Sequence, residues 1–232
     1  MASSTTTLGS RTQLEDVLAY LPIAGTMEYG PGQTIYGPDR FSKNIYLVVA
    51  GKVGISQIAE DGTEVLLEIV RDDELFGESA FLDAPRRSER ATVIEKARLM
   101  SWPISDVEDL VTKRPRLAVA LLQILAQRNA DFARRIESLS IDTIEQRLAR
   151  SLIRFSERLG NPEEDGSVRM MPFTHEMLSR YIGTSREVVT QHMSRFRKQG
   201  YVDYSRQGIR LHRETLSTLL DRKSCSSAGT SS

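Results

Sequence analysis

The chain has 232 residues, 40% hydrophobic and 27% charged, with Lys+Arg 31 balanced by Asp+Glu 31, a composition that suits one large or two modest globular domains. No apolar run approaches the roughly 20 residues that span a bilayer, and the polar start MASSTTTLGSRTQ lacks a secretory core, so a cytoplasmic protein without a membrane partner is expected. The single cysteine, Cys225, excludes a disulfide framework, a thiolate zinc site and an iron–sulfur cluster, and His175, His192 and His212 all lie in the C-terminal third, away from any N-terminal haem or metal site.

In chain order, residues 1–13 are expected to be disordered, as is the Ser/Gly/Thr-rich tail 223–232. Residues 14–21 read as a short amphipathic helix stopped by Pro22. From about Met27 to Pro103 the pattern is one of short strands, at 34–36, 45–49, 53–58 and 65–70, then Leu75-Phe76-Gly77, with the last strands supplied by 91–102. Gly37-Pro38-Asp39, Ala50-Gly51-Lys52 and Glu60-Asp61-Gly62-Thr63 supply turns. Many short strands at regular spacing indicate an antiparallel sandwich or roll, with Trp102 as core packing at a strand end.

From Ser105 the pattern is helical to about Leu159, with a break near Pro115. The most regular stretch, 117–143, carries Leu125, Asn129, Phe132, Ile136, Leu139 and Thr143 at alternating spacings of four and three, among polar residues such as Arg128, Asp131, Arg134 and Arg135. This heptad-like stripe fits either a helix packed on its own roll, a use open to Leu121 and Leu122, or a dimer seam in which Asn129 sets the register. A second helix at 144–159 leads through a polar linker, 160–166.

Thr174 then N-caps a helix carrying Met177, Leu178, Tyr181 and Ile182 at helical spacing, and Gly183 turns the chain. Thr184-x-x-Glu187 has capping-box spacing and opens a second helix. Val188, Val189, His192, Met193 and Phe196 form its inner face; Arg186, Glu187, Thr190, Gln191, Ser194 and Arg195 form its outer face. Residues 201–204 and 209–211, joined through Ser205-Arg206-Gln207-Gly208, read as a hairpin behind it. Periodicity alone admits an ordinary helical hairpin as well as a winged helix-turn-helix. Charge separates them: residues 166–213 hold nine Lys+Arg against three Asp+Glu, which leaves the rest of the chain at −6. A phosphate-binding module on a neutral protein has that asymmetry.

Three segments in this order resemble the CRP/FNR superfamily of bacterial transcription regulators: Tyr46-Leu47-Val48-Val49-Ala50-Gly51-Lys52-Val53, then Phe76-Gly77-Glu78-Ser79-Ala80-Phe81-Leu82 with Arg90-Ala91-Thr92-Val93, then Ile182-Gly183-Thr184-Ser185-Arg186-Glu187-Val188-Val189. The resemblance implies an α+β fold: an N-terminal antiparallel β-roll (a double-stranded β-helix or jelly-roll) as sensor over 14–115, a dimerisation helix over 116–143, and a winged helix-turn-helix over 144–222. It implies Arg186 and Glu187 as base readers, joined one turn later by Thr190 and by Gln191, where many members have arginine. Arginine forks onto guanine, glutamate accepts from cytosine, and glutamine suits adenine. Glu187 also has a capping role open to it. Thr174, Ser185, Arg195, Ser205 and Arg206 are candidates for phosphate contacts, whereas His192 is read as packed.

In members that bind cyclic AMP, Gly-Glu holds the ribose and Arg-Ser before an alanine holds the phosphate. Gly77 and Glu78 match, with Ser79 beside them. Arg87-Ser88 is present, but Glu89-Arg90 intervenes before Ala91, so either Arg87-Ser88 serves from a longer loop or Arg90 replaces it. A carboxylate at Glu89 opposes a phosphate. The family's adenine-binding Thr-Ser pair falls on Phe132 and Ala133, which cannot hydrogen-bond a base. Cyclic nucleotide, another effector and no effector all stay open, and Glu78 has a second reading as a buried carboxylate paired with a nearby arginine, which stabilises the roll without any ligand. The implied partners are palindromic double-stranded DNA, a second copy of the chain and RNA polymerase. The expected function is sequence-specific transcription regulation; the alternatives are an effector-independent regulator, or a cyclic-nucleotide-binding subunit acting on a protein. No phosphate loop, metal-ligand spacing or nucleophile–base pair suggests an enzyme.

Overall fold

The computed structural model describes residues 16–82 and 88–227, with side chains of the last helix only to Leu220. The first strands are β1 (Thr26–Tyr29), β2 (Thr34–Tyr36), β3 (Asn44–Ile58), β4 (Glu64–Val70), β5 (Leu75–Phe76) and β6 (Glu89–Pro103). They form one antiparallel roll in which β6 and β3 pair along their length, β1 and β2 flank β6, and β4 and β5 flank β3. Tyr36, Tyr46 and Phe76 stack inside it, with ring centroids 5.1–6.1 Å apart. Trp102 is buried at the end of β6 and donates its indole N–H to Pro22 O at 3.0 Å.

Three expectations need correction here. The segment 14–21, of which Leu14 and Glu15 lie outside the described residues, forms only a 3-10 turn at Val17–Ala19, because Asp16 caps Leu18 N at 3.0 Å and Pro22 soon follows. Ala50-Gly51-Lys52 does not separate two strands. β3 runs straight through it with bulged register, and Gly51 (φ 96°) lies where a Cβ would meet Lys96 O at 2.2 Å. A left-handed glycine serves a bulge as readily as a turn. The stretch 91–102 is likewise one long strand, starting at Glu89.

Next come α1 (Ile104–Lys113), α2 (Arg116–Ile141) and α3 (Ile144–Leu159). Thr143 is not the last residue of the stripe. It caps α3 in a reciprocal capping box with Gln146, and this ends α2 at Ile141. Along α2, Leu117 and Ala120 are sealed against the roll, with Leu121 and Ile124 packed beside them. Leu122 faces away at 63% exposure and continues the stripe of Leu125, Asn129, Phe132, Ile136 and Leu139, all exposed on the protomer.

The remaining elements are β7 (Asn161–Pro162), β8 (Val168–Met170), α4 (His175–Ile182), α5 (Arg186–Lys198), β9 (Val202–Ser205), β10 (Gly208–Leu211) and α6 (Arg213–Ser227). The supposed linker 160–166 contributes a strand: β7, β8, β10 and β9 form a four-stranded sheet behind the helices. Helix α6 carries into the tail expected to be unstructured from 223. Leu216, Leu219 and Leu220 anchor it, and each further residue of a nucleated helix gains a hydrogen bond. The other tail residues, 1–13 and 228–232, lie outside the described residues. Leu66 and Ile69 of β4 share a core with Leu152, Phe155, Tyr181 and Phe196, which ties the C-terminal unit to the roll.

Candidate nucleic-acid interface and effector pocket

Helix α4 starts at Thr174, whose hydroxyl accepts from Met177 N at 3.0 Å, and stops at Gly183 in the left-handed region (φ 69°). The Gly183 and Thr184 amides both turn back to Ser179 O, at 3.0 and 3.1 Å. Thr184 is thereby used in closing α4, and the expected Thr184-x-x-Glu187 capping box does not form. Ser185 caps α5 instead, accepting from Val188 N at 3.4 Å. The Glu187 carboxyl is held below its ordinary range by its own backbone amide, by the Ser185 hydroxyl and by the Arg186 charge.

Val189, Met193 and Phe196 are buried under α5, with Val188 and His192 at its half-buried flank. Arg186, Glu187, Thr190 and Gln191 are together on its exposed face. Thr190 donates to Arg186 O at 2.9 Å and lies 2.8 Å from His175 Nδ1. Thr174, Ser185 and Ser205 all accept a backbone N–H with a lone pair; Thr174 and Ser205 keep the hydroxyl proton for another acceptor, whereas Ser185 gives its proton to the Glu187 carboxylate. Ser205 and Arg206 stand exposed at the hairpin tip, and Arg195 is 3.7 Å from the buried Glu145 of α3.

The local basic excess is less uniform than the count suggests. Arg210 and Arg169 pair with Glu163 at 2.8 and 2.5 Å, Arg180 with Glu64 at 2.7 Å, and Arg197 with Asp203 at 3.3 Å. Arg186, Lys198 and Arg206 make no ion pair among the described residues. Free positive charge thus collects at the two ends of α5 and at the hairpin tip.

The pocket candidates are divided. Gly77 (φ 90°) follows β5 and leads into a 3-10 turn at Glu78–Leu82. Glu78 is bonded to Arg128 of α2, so the arginine partner of its second reading is present, but the carboxylate is half-buried, not sealed. Ser79 donates to Glu89 at 3.3 Å, and Tyr36 donates to the same Glu89 oxygen. Ser88 accepts from Gln57, and Arg90 lies half-buried over Gly37. Arg87 is outside the described residues. Phe132 and Ala133 are both exposed on α2.

Sequence reasoning missed a charge network below this pocket. Arg128 also reaches Leu75 O and Glu68, the latter at 3.0 Å, and Arg158 of α3 meets Glu68 at 3.1 Å and Glu74 at 2.9 Å. Burial pushes the Glu68 carboxyl up, against the pull of Arg128 and Arg158. Two turns further along α2, Arg135 bonds Leu66 O at 2.9 Å, Leu67 O at 3.1 Å and Tyr181 O, with its guanidinium 4.3 Å above the Tyr181 ring. The sequence held one signal of this: a glutamate inside the apolar run Val65-Leu66-Leu67-Glu68-Ile69-Val70. Beside the network a cleft of ≈ 1090 Å³ opens between the roll, α2 and α3, and Arg134, Asp131, Arg154 and Glu157 give its walls both signs of charge.

Residues 26–114 match the family model of the cyclic nucleotide-binding domain, and residues 146–221 that of the Crp-like helix-turn-helix domain. The transcriptional regulator SdrP of Thermus thermophilus is 31% identical over 194 residues, 82% of this chain and 87% of that protein. The CRP-like cAMP-activated global transcriptional regulator of Mycobacterium tuberculosis is 28% identical over 177 residues, 76% of this chain and 79% of its own. A solved transcriptional regulator of the CRP/FNR family, also from T. thermophilus, superposes with a TM-score of 0.67 at 28% identity, covering 85% of this chain and 98% of that one.

The network predicts a specific stability defect. Arg128→Met leaves Glu68 buried with half its compensation and should cost about 3–5 kcal/mol at neutral pH in chemical denaturation. The fold disfavours ionised Glu68, so its folded pKa lies above the unfolded one. The associated stability is full below the ordinary carboxylate range and is lost as pH rises through the folded value. The deficit of Arg128→Met should therefore shrink on acidification toward about pH 5, and Glu68→Gln added to it should recover most of the loss. A deficit independent of pH would contradict this.

Proposed function

The chain belongs to the CRP/FNR family of transcription regulators, and we propose that it acts as a cytoplasmic homodimer that grips a palindromic duplex and meets RNA polymerase there. In this reading 14–115 is the sensor, 116–143 the dimer helix and 144–222 the reader. The carrying observation is the division of α5: Val189, Met193 and Phe196 are sealed inside while Arg186, Glu187, Thr190 and Gln191 are bare. Arg186 takes guanine O6 and N7, Glu187 a cytosine amine, and Gln191 an adenine. Thr174 and Ser205 donate their free hydroxyl protons to phosphates, Ser185 joins them once a bound base draws Glu187 away from its hydroxyl, and Arg195 and Arg206 add charge. The exposed α2 stripe supports the dimer, with Asn129 meeting its copy in mid-seam. Two copies present two recognition helices to half-sites one helical turn apart.

An effector at the roll biases this arrangement through Glu78, whose partner Arg128 leads to Glu68 and on to Arg158 of α3. Gly77, Glu78, Ser79, Ser88 and Arg90, with Arg87, form the pocket of this proposal. A cyclic nucleotide is one candidate. A second reading, regulation without an effector, draws support from the internal bonding of Glu78, Ser79 and Ser88, which already fills their hydrogen-bonding capacity in part. Equal affinity for a selected duplex with and without cyclic AMP favours that second reading; a strong gain with the nucleotide overturns it.

Arg186→Ala should weaken binding to a duplex selected from a random pool by about 1–3 kcal/mol and relax preference at one base pair. An equal loss on random DNA would refute base reading by Arg186. Leu125→Glu with Phe132→Glu should give monomers in sedimentation; persisting dimers would move the seam elsewhere.

A further inference from the structure

His175 is the first residue of α4, yet its side chain leaves that helix and joins two other elements. Its Nδ1 lies 2.8 Å from Thr190 Oγ1 on α5, and its ring meets Tyr204 of β9 edge-on, with centroids 5.6 Å apart and planes at 70°. Tyr204 is itself covered by Arg197, whose guanidinium lies 5.2 Å from the ring centroid. Burial, followed by the Arg186 charge, pushes the His175 pKa down, so the ring is neutral near pH 7.

The proton positions follow from the partners. Arg186 O can only accept, so Thr190 must be the donor in their 2.9 Å bond. The Thr190 hydroxyl then has a lone pair, and no proton, for His175. The neutral imidazole must carry its proton on Nδ1 and donate it. With its proton given and one of its two lone pairs filled inside the protein, the hydroxyl has no proton to offer a base, while Thr190 as a residue remains exposed. The γ-methyl is the substituent that no contact inside the protein occupies.

We infer that His175 is a positioning residue for specificity: it locks the Thr190 rotamer so that Thr190 reads a thymine C5-methyl by apolar contact instead of donating a hydrogen bond to a base. This rests on α5 being the base-reading helix. The same bond couples the hairpin to the reader, because the imidazole that holds Thr190 is seated on Tyr204. The Nδ1 proton explains why a polar, partly buried residue occupies this helix start, where the N-cap function already belongs to Thr174.

The test uses the full chain and a duplex it selects from a random pool, with deoxyuridine replacing thymidine at one symmetric pair of positions at a time. Deoxyuridine removes only the C5-methyl. Wild type should lose affinity about threefold to fivefold at one such pair, the worth of one buried methyl group, and the same ratio should fall to about one in Thr190→Ser. His175→Phe keeps an aromatic edge against Tyr204 but has no Nδ1 proton, so its thymine-to-uracil ratio should also fall toward one. His175→Asn places an amide N–H near the old Nδ1 and should restore the ratio, a rescue that a purely packing role would not give. Equal binding of thymine and uracil at every position, or an unchanged ratio in His175→Phe, overturns the inference while leaving base reading by α5 intact. Failure of wild type to select any sequence overturns both.

Discussion

Two arginines of α2, Arg128 and Arg135, hold the molecule together across its units. They are seven residues apart and so share one helix face. Arg128 reaches the carboxylates of Glu68 and Glu78 and the carbonyl of Leu75; Arg135 spans the carbonyls of Leu66, Leu67 and Tyr181. Each guanidinium has enough donors to serve several of these acceptors at once, and its planar fork suits the task better than a lysine. With this face of α2 committed to the roll and to α4, the neighbouring stripe from Leu122 to Leu139 stays exposed on the protomer.

This division of α2 explains how a family built for switching is organised in this chain. The roll supplies Glu68, Glu74 and Glu78; α2 supplies Arg128; α3 supplies Arg158. The charges are mutually dependent, since removal of one strands another in a region where burial already opposes ionisation of Glu68. In the proposed function, a ligand at Glu78 would act on Arg128, which shares Glu68 with Arg158 of α3. It shifts the balance between arrangements only by its difference in affinity for them. The capping box of Thr143 with Gln146 fixes the joint between α2 and α3 that such a shift must turn.

Much of this was legible in the residues, for reasons that also mark the limit. The stripe on α2 and the buried and bare faces of α5 repeat at helical spacing, and apolar periodicity reports a buried or pairing face directly. Thr143 and Thr184 misled because a threonine suits a stripe, a cap and a turn alike; only the bonds of Gln146 and Ser179 distinguish them. Gly51 was ambiguous in the same way, its left-handed φ serving turn and bulge equally. Arg128 and Arg135 looked like ordinary solvated positions, since nothing local shows that β4 passes beneath them. The pairing of His175 with Thr190 depends on how α4 crosses α5, a tertiary fact with no sequence period. The basic excess of 166–213 was visible, but its neutralisation by Glu163 was not, because that residue lies just outside the segment and returns through the pairing of β7 with β8.

The central claim is that two copies, joined along the bare face of α2, present α5 twice to one duplex. Hydroxyl-radical footprinting of the full chain on a selected duplex tests it most directly. The account predicts two equivalent protected tracts related by a dyad, on one face of the DNA and about 34 Å apart. A single protected tract, or two that lack the dyad, would contradict it.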